Sequence, residues 1–366
     1  VVGKVALGVA SFLLVALAAG LIVAFLFRHP TPEPYQQARA DLPPSLPRDA
    51  GAHFAAQTEW WYYTGQLLGE GGERFGFEVV FFKAYAPPHA KIFGRIPVSW
   101  LCNPAYSSHL AVTDLQRGAF SFVEQTNCPF PWAGGARTDR YEVWVRRWWA
   151  REEGSHHHLH AEAEGMALDL ALAPLKPATF HGSQGVVSMG AGGTSYYYSY
   201  TRMGGSGWLE VGGRRIPVQA QAWMDHQWGS WDWTGFQGWD WFSLRLDSGE
   251  ELMLFQFRDE DGAAQPQSFG TYVAADGATV HLPQQAFHVE VLDRWTSPRT
   301  GAAYPIGWRI ATRLPAGELA VWAEVPAQEL PLRMGPAYWE GICRVAGTLA
   351  GEAVAGHAYV EMTGYR

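Results

Sequence analysis

From Thr58 onward, runs of roughly four to eight aromatic and β-branched residues recur between clusters of Gly, Asn, Asp and Pro, and convincing amphipathic helices are scarce. That alternation restricts the chain to an all-β, antiparallel fold. Glu59–Leu67 and Arg74–Phe82 flank the Gly-rich stretch Gly69–Gly72 as the two arms of a hairpin. The scheme repeats in Trp241–Leu246 with Leu252–Phe257 across Asp247-Ser248-Gly249, and in Ile342–Leu349 with Ala353–Glu361 across Ala350-Gly351. Meanders of this kind leave many open edges, and closure into barrels of about eight strands removes them while leaving room for a small apolar ligand. A chain of 366 residues is long enough for two such units, each with its own core. The spacing places the first at 53–210 and the second at 211–366, with the break in the Gly-rich stretch 204–213 or just after the motif Asp225-His226. A short echo between Glu59-Trp60-Trp61-Tyr62-Tyr63-Thr64-Gly65 and Tyr338-Trp339-Glu340-Gly341 is consistent with duplication.

Composition narrows the function classes. Aromatics reach 14% with 18 Trp, charged residues only 17%, and the formal net charge of −8 comes from dispersed carboxylates without a basic block. Nucleic acid is therefore not an expected partner, because phosphate backbones require a cationic footprint. The cysteines Cys102, Cys128 and Cys343 show no metal-ligand spacing, so structural zinc is not expected. Cys102 and Cys128 can form a disulfide in an oxidising compartment or stand as buried thiols.

Residues 5–27 run for 23 positions without a charge, between Lys4 and Arg28-His29-Pro30. That is long enough to span a bilayer as a helix. Residues 1–29 read as a signal anchor or a signal peptide, with the small residues Ala16-Leu17-Ala18 as the feature favouring cleavage. The Pro- and Ala-rich 30–52 reads as a tether, and export to the periplasmic face, membrane-anchored or secreted, is the simplest expectation.

Chemistry concentrates in Trp223-Met224-Asp225-His226-Gln227-Trp228 and in Gly238-Trp239-Asp240-Trp241-Phe242. Indoles shield neighbouring carboxylates and imidazoles from water, which moves their proton affinities, so Asp225, His226 and Trp228 are the candidate catalytic residues. Neighbours on a strand point to opposite faces, so Asp225 and His226 form no direct dyad. The expectation is that His226 and Trp228 line a cavity while Asp225 ties down the turn. Glu59, Trp60, Tyr62, Trp239, Asp240, Trp241, Tyr338 and Glu340 are the candidate ligand-binding residues, Glu59 being either a surface strand-start carboxylate or an enclosed one. The run His156-His157-His158-Leu159-His160 follows a turn and reads as surface histidines, so no metal or other cofactor is expected. No serine sits in a Gly-x-Ser-x-Gly setting.

Taken in order, Glu59-Trp60-Trp61-Tyr62, Ser195-Tyr196-Tyr197-Tyr198-Ser199 with Thr201-Arg202, Trp223 to Trp228, Gly238 to Phe242, Trp295 with Ser297-Pro298, Tyr304-Pro305, Tyr338 to Gly341, and Gly356 with Tyr359-Val360-Glu361-Met362-Thr363-Gly364-Tyr365 resemble the carotenoid 1,2-hydratase and AttH-type lipocalin-like family, a group also labelled predicted secreted hydrolases. The resemblance runs from about residue 57 to the end. It implies two lipocalin-like antiparallel β-barrels packed together and isoprenoid-like apolar ligands. For the hydratase branch it implies protonation of a terminal alkene by a carboxylic acid, with Trp faces stabilising the cation. The His-x-Trp of that branch resembles His226-x-Trp228, but the strand expected to carry its acid, Leu252-Met253-Leu254-Phe255-Gln256-Phe257, has no carboxylate. Asp225, Asp240 and Glu59 are the candidates to stand in. Three readings follow: an extracytoplasmic protein binding a hydrophobic isoprenoid or lipid, a hydratase or isomerase acting on such a molecule, and an assembly partner in an envelope complex.

Overall fold

The computed structural model describes residues 31–366 apart from 87–90, 93, 98, 100–101, 129, 191–192, 233–236 and 334, together with a few positions before residue 31. The apolar segment 5–27 lies almost entirely outside the described residues; among the described residues no helix is long and apolar enough to cross a membrane. In chain order the strands are β1 (Thr58–Gly69), β2 (Arg74–Ala84), the short pair β3 (Lys91–Ile92) and β4 (Ile96–Pro97), β5 (Ala105–Asp114), β6 (Ala119–Thr126), β7 (Gly134–Ala136), β8 (Glu142–Val145), β9 (Trp148–Glu153) and β10 (His156–Ala163). There follow β11 (Met166–Pro174), β12 (Thr179–Phe180), β13 (Val186–Ser188), β14 (Thr194–Val211) and β15 (Arg214–Ser230). The second series is β16 (Gly238–Leu246), β17 (Glu251–Arg258), β18 (Phe269–Val273), β19 (Thr279–Pro283), β20 (Phe287–Thr296), β21 (Ala303–Arg313), β22 (Ala316–Ala323), β23 (Glu329–Leu330), β24 (Tyr338–Leu349) and β25 (Glu352–Met362).

Apart from the separate β3–β4 pair, these strands form two antiparallel sheets that curl into barrels. The first runs β6-β5-β2-β1-β15-β14-β11-β10-β9-β8-β7, with β12 and β13 added on β14, and the second β19-β18-β17-β16-β25-β24-β22-β21-β20, with β23 on β24. The three hairpins expected from sequence are present as β1–β2, β16–β17 and β24–β25. β15 pairs with β1 and β14, so residues 214–230 belong to the first sheet. The changeover between sheets therefore falls after Ser230; of the two breaks expected, the one at residue 210 is not where it lies, because the Gly-rich 204–213 continues the long β14–β15 hairpin, while the other was placed just after Asp225-His226. The segment expected to be a free tether is also docked. Ala38, Ala50 and Ala52 are buried in the first barrel's core, and Ala52 N–H donates to the Arg137 carbonyl at 2.7 Å.

Burial patterns show where the barrels meet. Along β15, residues 214–221 alternate between exposed and buried, whereas 222–230 are buried without interruption. Alternation is the mark of one covered face, and continuous burial that of two. One face fills the first barrel, and the other packs against the second barrel through Tyr62, Tyr197, Trp223, Trp241, Met253, Phe255, Ile342 and Tyr359. At Gly76 on β2 the sheets come so close that a Cβ would lie 2.7 Å from Ile342 Cγ2. A one-residue bulge in β14 between Tyr200 and Met203 lets the adjacent Thr201 and Arg202 both reach Glu251 of β17. Lys176 joins them at 2.8 Å, completing a buried ionic staple between the sheets.

Candidate active site

Strand parity sorts the ionisable residues of the aromatic motifs into separate places. On β15, Asp225 stands opposite Tyr62 of β1 and Ser199 of β14, on the face that the second sheet covers. His226 takes the opposite face and lies against Trp61 and Trp228 inside the first barrel. The two side chains do diverge as a strand requires, but the sides are the reverse of those expected: Asp225 lines the cavity, while His226 and Trp228 do not.

That cavity, about 90 Å³, lies between the sheets. Its apolar walls are Trp60, Phe82, Trp239, Trp241 and Phe255, and its polar groups include Tyr62, Tyr197, Asp225, Tyr338, Glu340 and Glu361. Trp60, Phe82 and Trp239 are half-buried and form the mouth; Asp225 and Glu340 are buried below them. Asp225 accepts from Trp223 Nε1 at 2.6 Å, from the Tyr197 hydroxyl at 2.8 Å and from Ser199 Oγ. Tyr197 is itself oriented by Trp241 Nε1 at 3.0 Å. Burial raises the Asp225 carboxyl, the three donors offset part of that rise, and it is left at about 7.

Three more carboxyls gather beside it. Glu340 and Glu361 are directly paired across β24 and β25, and Glu78 of β2 approaches from the first sheet. Tyr62 donates to Glu340, Tyr338 to Glu78 Oε1 at 3.1 Å, and Trp239 Nε1 to Glu361 at 3.2 Å. Burial pushes Glu78 and Glu361 up to about 8, and burial together with the neighbouring Glu78 and Glu361 raises Glu340 well above the usual range. Like charges facing one another in an apolar setting hold protons between them. Asp225, Glu340 and Glu361 at the cavity, and Glu78 beside Glu340, are therefore carboxyls of raised proton affinity set against a wall of indoles.

Inside the first barrel, Glu59 accepts from Lys83 Nζ at 2.9 Å, from His53 Nδ1 at 2.8 Å and from His226 Nε2 at 2.9 Å. Burial alone would raise Glu59, but Lys83 and His53 hold it well below the carboxylate range, and burial brings His226 down to about 4. The ligating atoms of His53, Glu59 and His226 lie within 4.8 Å of one another, a spacing suited to a cation. Here the buried Lys83 ammonium already neutralises Glu59, and both carboxylate oxygens accept from protein donors. The group is complete as an ion-pair network. Asp240 likewise turns away from the cavity, between Trp239 and Trp241 that face it, and pairs with Arg258 at 3.0 Å and the Tyr365 hydroxyl at 3.1 Å. Of the histidine run, His157 is not at the surface: it is buried and bonds Tyr63 at 2.7 Å, while His158 and His160 share Asp169 outside. Cys102 and Cys128 are joined as a disulfide, and Cys343 is a buried thiol.

Of the residues expected to bind ligand, the structure brings Trp60, Tyr62, Trp239, Trp241, Tyr338 and Glu340 together with Asp225, and places Glu59 and Asp240 elsewhere. Sequence reasoning left Glu78 unmarked and named Tyr197, Ser199 and Glu361 within the family motifs without a site role. Glu78 was findable: a lone carboxylate in Phe75-Gly76-Phe77-Glu78-Val79-Val80-Phe81 has both neighbouring faces apolar.

Comparison with known proteins adds a family to this geometry. A crystal structure of an AttH-type protein from Nitrosomonas europaea is 30% identical with a TM-score of 0.78, covering 90% of this chain and all of its own. Kievitone hydratase from Nectria haematococca shares the fold at 15% identity and a TM-score of 0.69, over 90% of this chain and 95% of its own. The dehydratase asqC of Emericella nidulans is 26% identical over 209 residues, 54% of this chain, and the match spans 58% of that relative's length. The AttH-like family model matches residues 37–365, nearly the whole described chain, and the protein belongs to that AttH-like family.

Proposed function

We propose that this chain is an acid–base enzyme of the hydratase or dehydratase type, working on a carbon–carbon double bond at the end of an apolar, isoprenoid-like molecule. The observation that carries the reading is Asp225, a carboxyl at about 7 between the faces of an indole-lined cavity with further proton-holding carboxyls opposite. In the hydration direction, the Asp225 O–H gives its proton to one alkene carbon. The π pair forms the new C–H bond, and the other carbon becomes a tertiary cation facing Trp60, Trp239 and Trp241. Water adds to the cation and loses a proton to Glu361 in its ionised form, which becomes available as pH nears about 8; dehydration is the same path reversed. A cavity of about 90 Å³ admits the reacting end of a substrate, the remainder leaving past Trp60 and Trp239. The hydratase and dehydratase named among the relatives support this class of chemistry.

The binding reading rests on the same apolar walls and differs in leaving the ligand unchanged. An extracytoplasmic location is part of the proposal, supported by the apolar stretch 5–27 and the Cys102–Cys128 disulfide. The test is incubation of purified protein with squalene and lycopene, as terminal-alkene probes, in water enriched in oxygen-18. Labelled tertiary alcohol is expected from wild type and not from Asp225→Asn. Ligand retained but unaltered by wild type would establish the binder instead.

A further inference from the structure

A buried acid that gives away its proton must recover it, and the cavity side of Asp225 is closed to bulk water while substrate sits there. Behind Asp225 lies a second line of hydrogen bonds that the reaction does not use. Ser199 Oγ, which contacts Asp225 Oδ1, lies 2.7 Å from His181 Nε2; His181 Nδ1 lies 2.9 Å from Thr271 Oγ1 of the second sheet. Thr271 is paired across β18 and β19 with His281, which is exposed. Every one of these groups except His281 is buried, and the His181 ring is fixed from both ends and by the Tyr197 ring at 4.2 Å.

We propose that His281, Thr271, His181 and Ser199 form a proton relay that reloads Asp225 from solvent on the side away from the cavity, resting on the reading of Asp225 as the acid. Donor and acceptor roles along this line are fixed by chemistry. Trp223 Nε1 can only donate, so when Asp225 carries a proton on Oδ1 the partner able to accept it is Ser199 Oγ. Ser199 must then donate to His181 Nε2, which forces the imidazole hydrogen onto Nδ1, where it meets Thr271 Oγ1. With Asp225 ionised, all directions reverse: Thr271 donates to Nδ1, Nε2–H donates to Ser199, and Ser199 donates to the carboxylate. Both states keep the three links Asp225–Ser199, Ser199–His181 and His181–Thr271 as hydrogen bonds. The step balances. A proton from the His281 side passes through the Thr271 hydroxyl to Nδ1, the Nε2 proton moves to Ser199 as the Ser199 proton moves to Asp225, and the imidazole ends neutral with its hydrogen on the other nitrogen.

The charged and titratable groups around this line are few. Asp225 meets Tyr197 from β14 and feels Glu361 from β25; His181 meets Tyr197 and feels His281 from β19. Burial lowers His181 to about 3, so the ring passes the proton on without resting as a cation.

The test is nitrogen-15 NMR of the intact protein labelled at histidine, from pH 5 to pH 9, alongside infrared spectroscopy of the Asp225 carboxyl band. Wild type is expected to show His181 changing from the Nδ1–H to the Nε2–H tautomer as pH rises, with the midpoint at which the Asp225 acid band disappears. Ser199→Ala is expected to freeze His181 in one tautomer, and Thr271→Val to slow hydrogen–deuterium exchange of the Asp225 acid by about tenfold or more. A single His181 tautomer throughout in wild type would overturn the relay, as would a switch that persists unchanged in Ser199→Ala. Neither spectrum needs substrate. An inactive Asp225→Asn with no tautomer switch in wild type would sink the relay alone, and an intact switch with full turnover by Asp225→Asn would sink the catalytic reading alone.

Discussion

Asp225 shows how little separates a structural carboxylate from an acid. Three donors favour its charged form, and burial between two sheets favours the neutral one by more. Tyr197→Phe removes the 2.8 Å donor to Oδ2, so the Asp225 value is expected to move up from about 7 by roughly one to two units, given about 1.5–3 kcal/mol for a hydrogen bond to a charged group. Infrared titration of the acid band measures this; an unchanged or lower midpoint would show that Tyr197 does not favour the ionised form. Much of this was legible in sequence. A carboxylate and an imidazole among tryptophans marked β15 as the place of interest, and strand parity separated Asp225 from His226. Parity does not say which face the neighbouring barrel covers, so the cavity role fell to His226 in the sequence reading and to Asp225 in the structure.

At the scale of strands, the contact between barrels depends on a missing side chain and on a buried charge. Gly76→Ala is expected to destabilise the protein by about 1–3 kcal/mol, because its Cβ would lie 2.7 Å from Ile342 Cγ2 with both strands fixed in their ladders. Ile342→Ala in the same chain should recover part of that loss, and a double-mutant cycle by guanidinium denaturation that shows simple additivity would refute the clash. Glu251→Gln leaves Lys176 and Arg202 inside the interface without their carboxylate. Its expected cost is about 3–5 kcal/mol, read from the same denaturation curves, and a loss below about 1 kcal/mol would mean the pair is solvated after all. The hairpins, with the Gly-rich turn Gly69–Gly72 in the first, were readable from turn chemistry. The bulge at Thr201 and Arg202 was not, since an extra residue in one strand is defined only by the partner it fails to meet.

The whole molecule carries an unusual proton inventory, and pH tests it. Asp225, Glu78, Glu340 and Glu361 all have folded values above the ordinary carboxylate range. Folded protein therefore binds more protons than unfolded, and the stability these groups contribute is complete at low pH and lost as pH rises through about 7 to 8. The buried His109, His157 and His181 work in the opposite direction, but their effect is complete once pH exceeds the ordinary imidazole value of 6.5. Between pH 6.5 and about 8.5 the carboxyls act unopposed by these histidines, and stability should fall by several kcal/mol. Chemical denaturation across that window is the measurement. Glu78→Gln with Glu361→Gln should flatten the curve, and a wild-type curve already flat would mean the carboxyls are ionised in the fold. The sequence by itself determined an all-β chain of paired barrels, its hairpins and its site-bearing strand, because alternation and turn residues are local. Which carboxyls come together was decided only when β2, β15, β24 and β25 met face to face, since Asp225, Glu340 and Glu361 lining one cavity with Glu78 beside Glu340 is a property of two packed sheets and of no single stretch of chain.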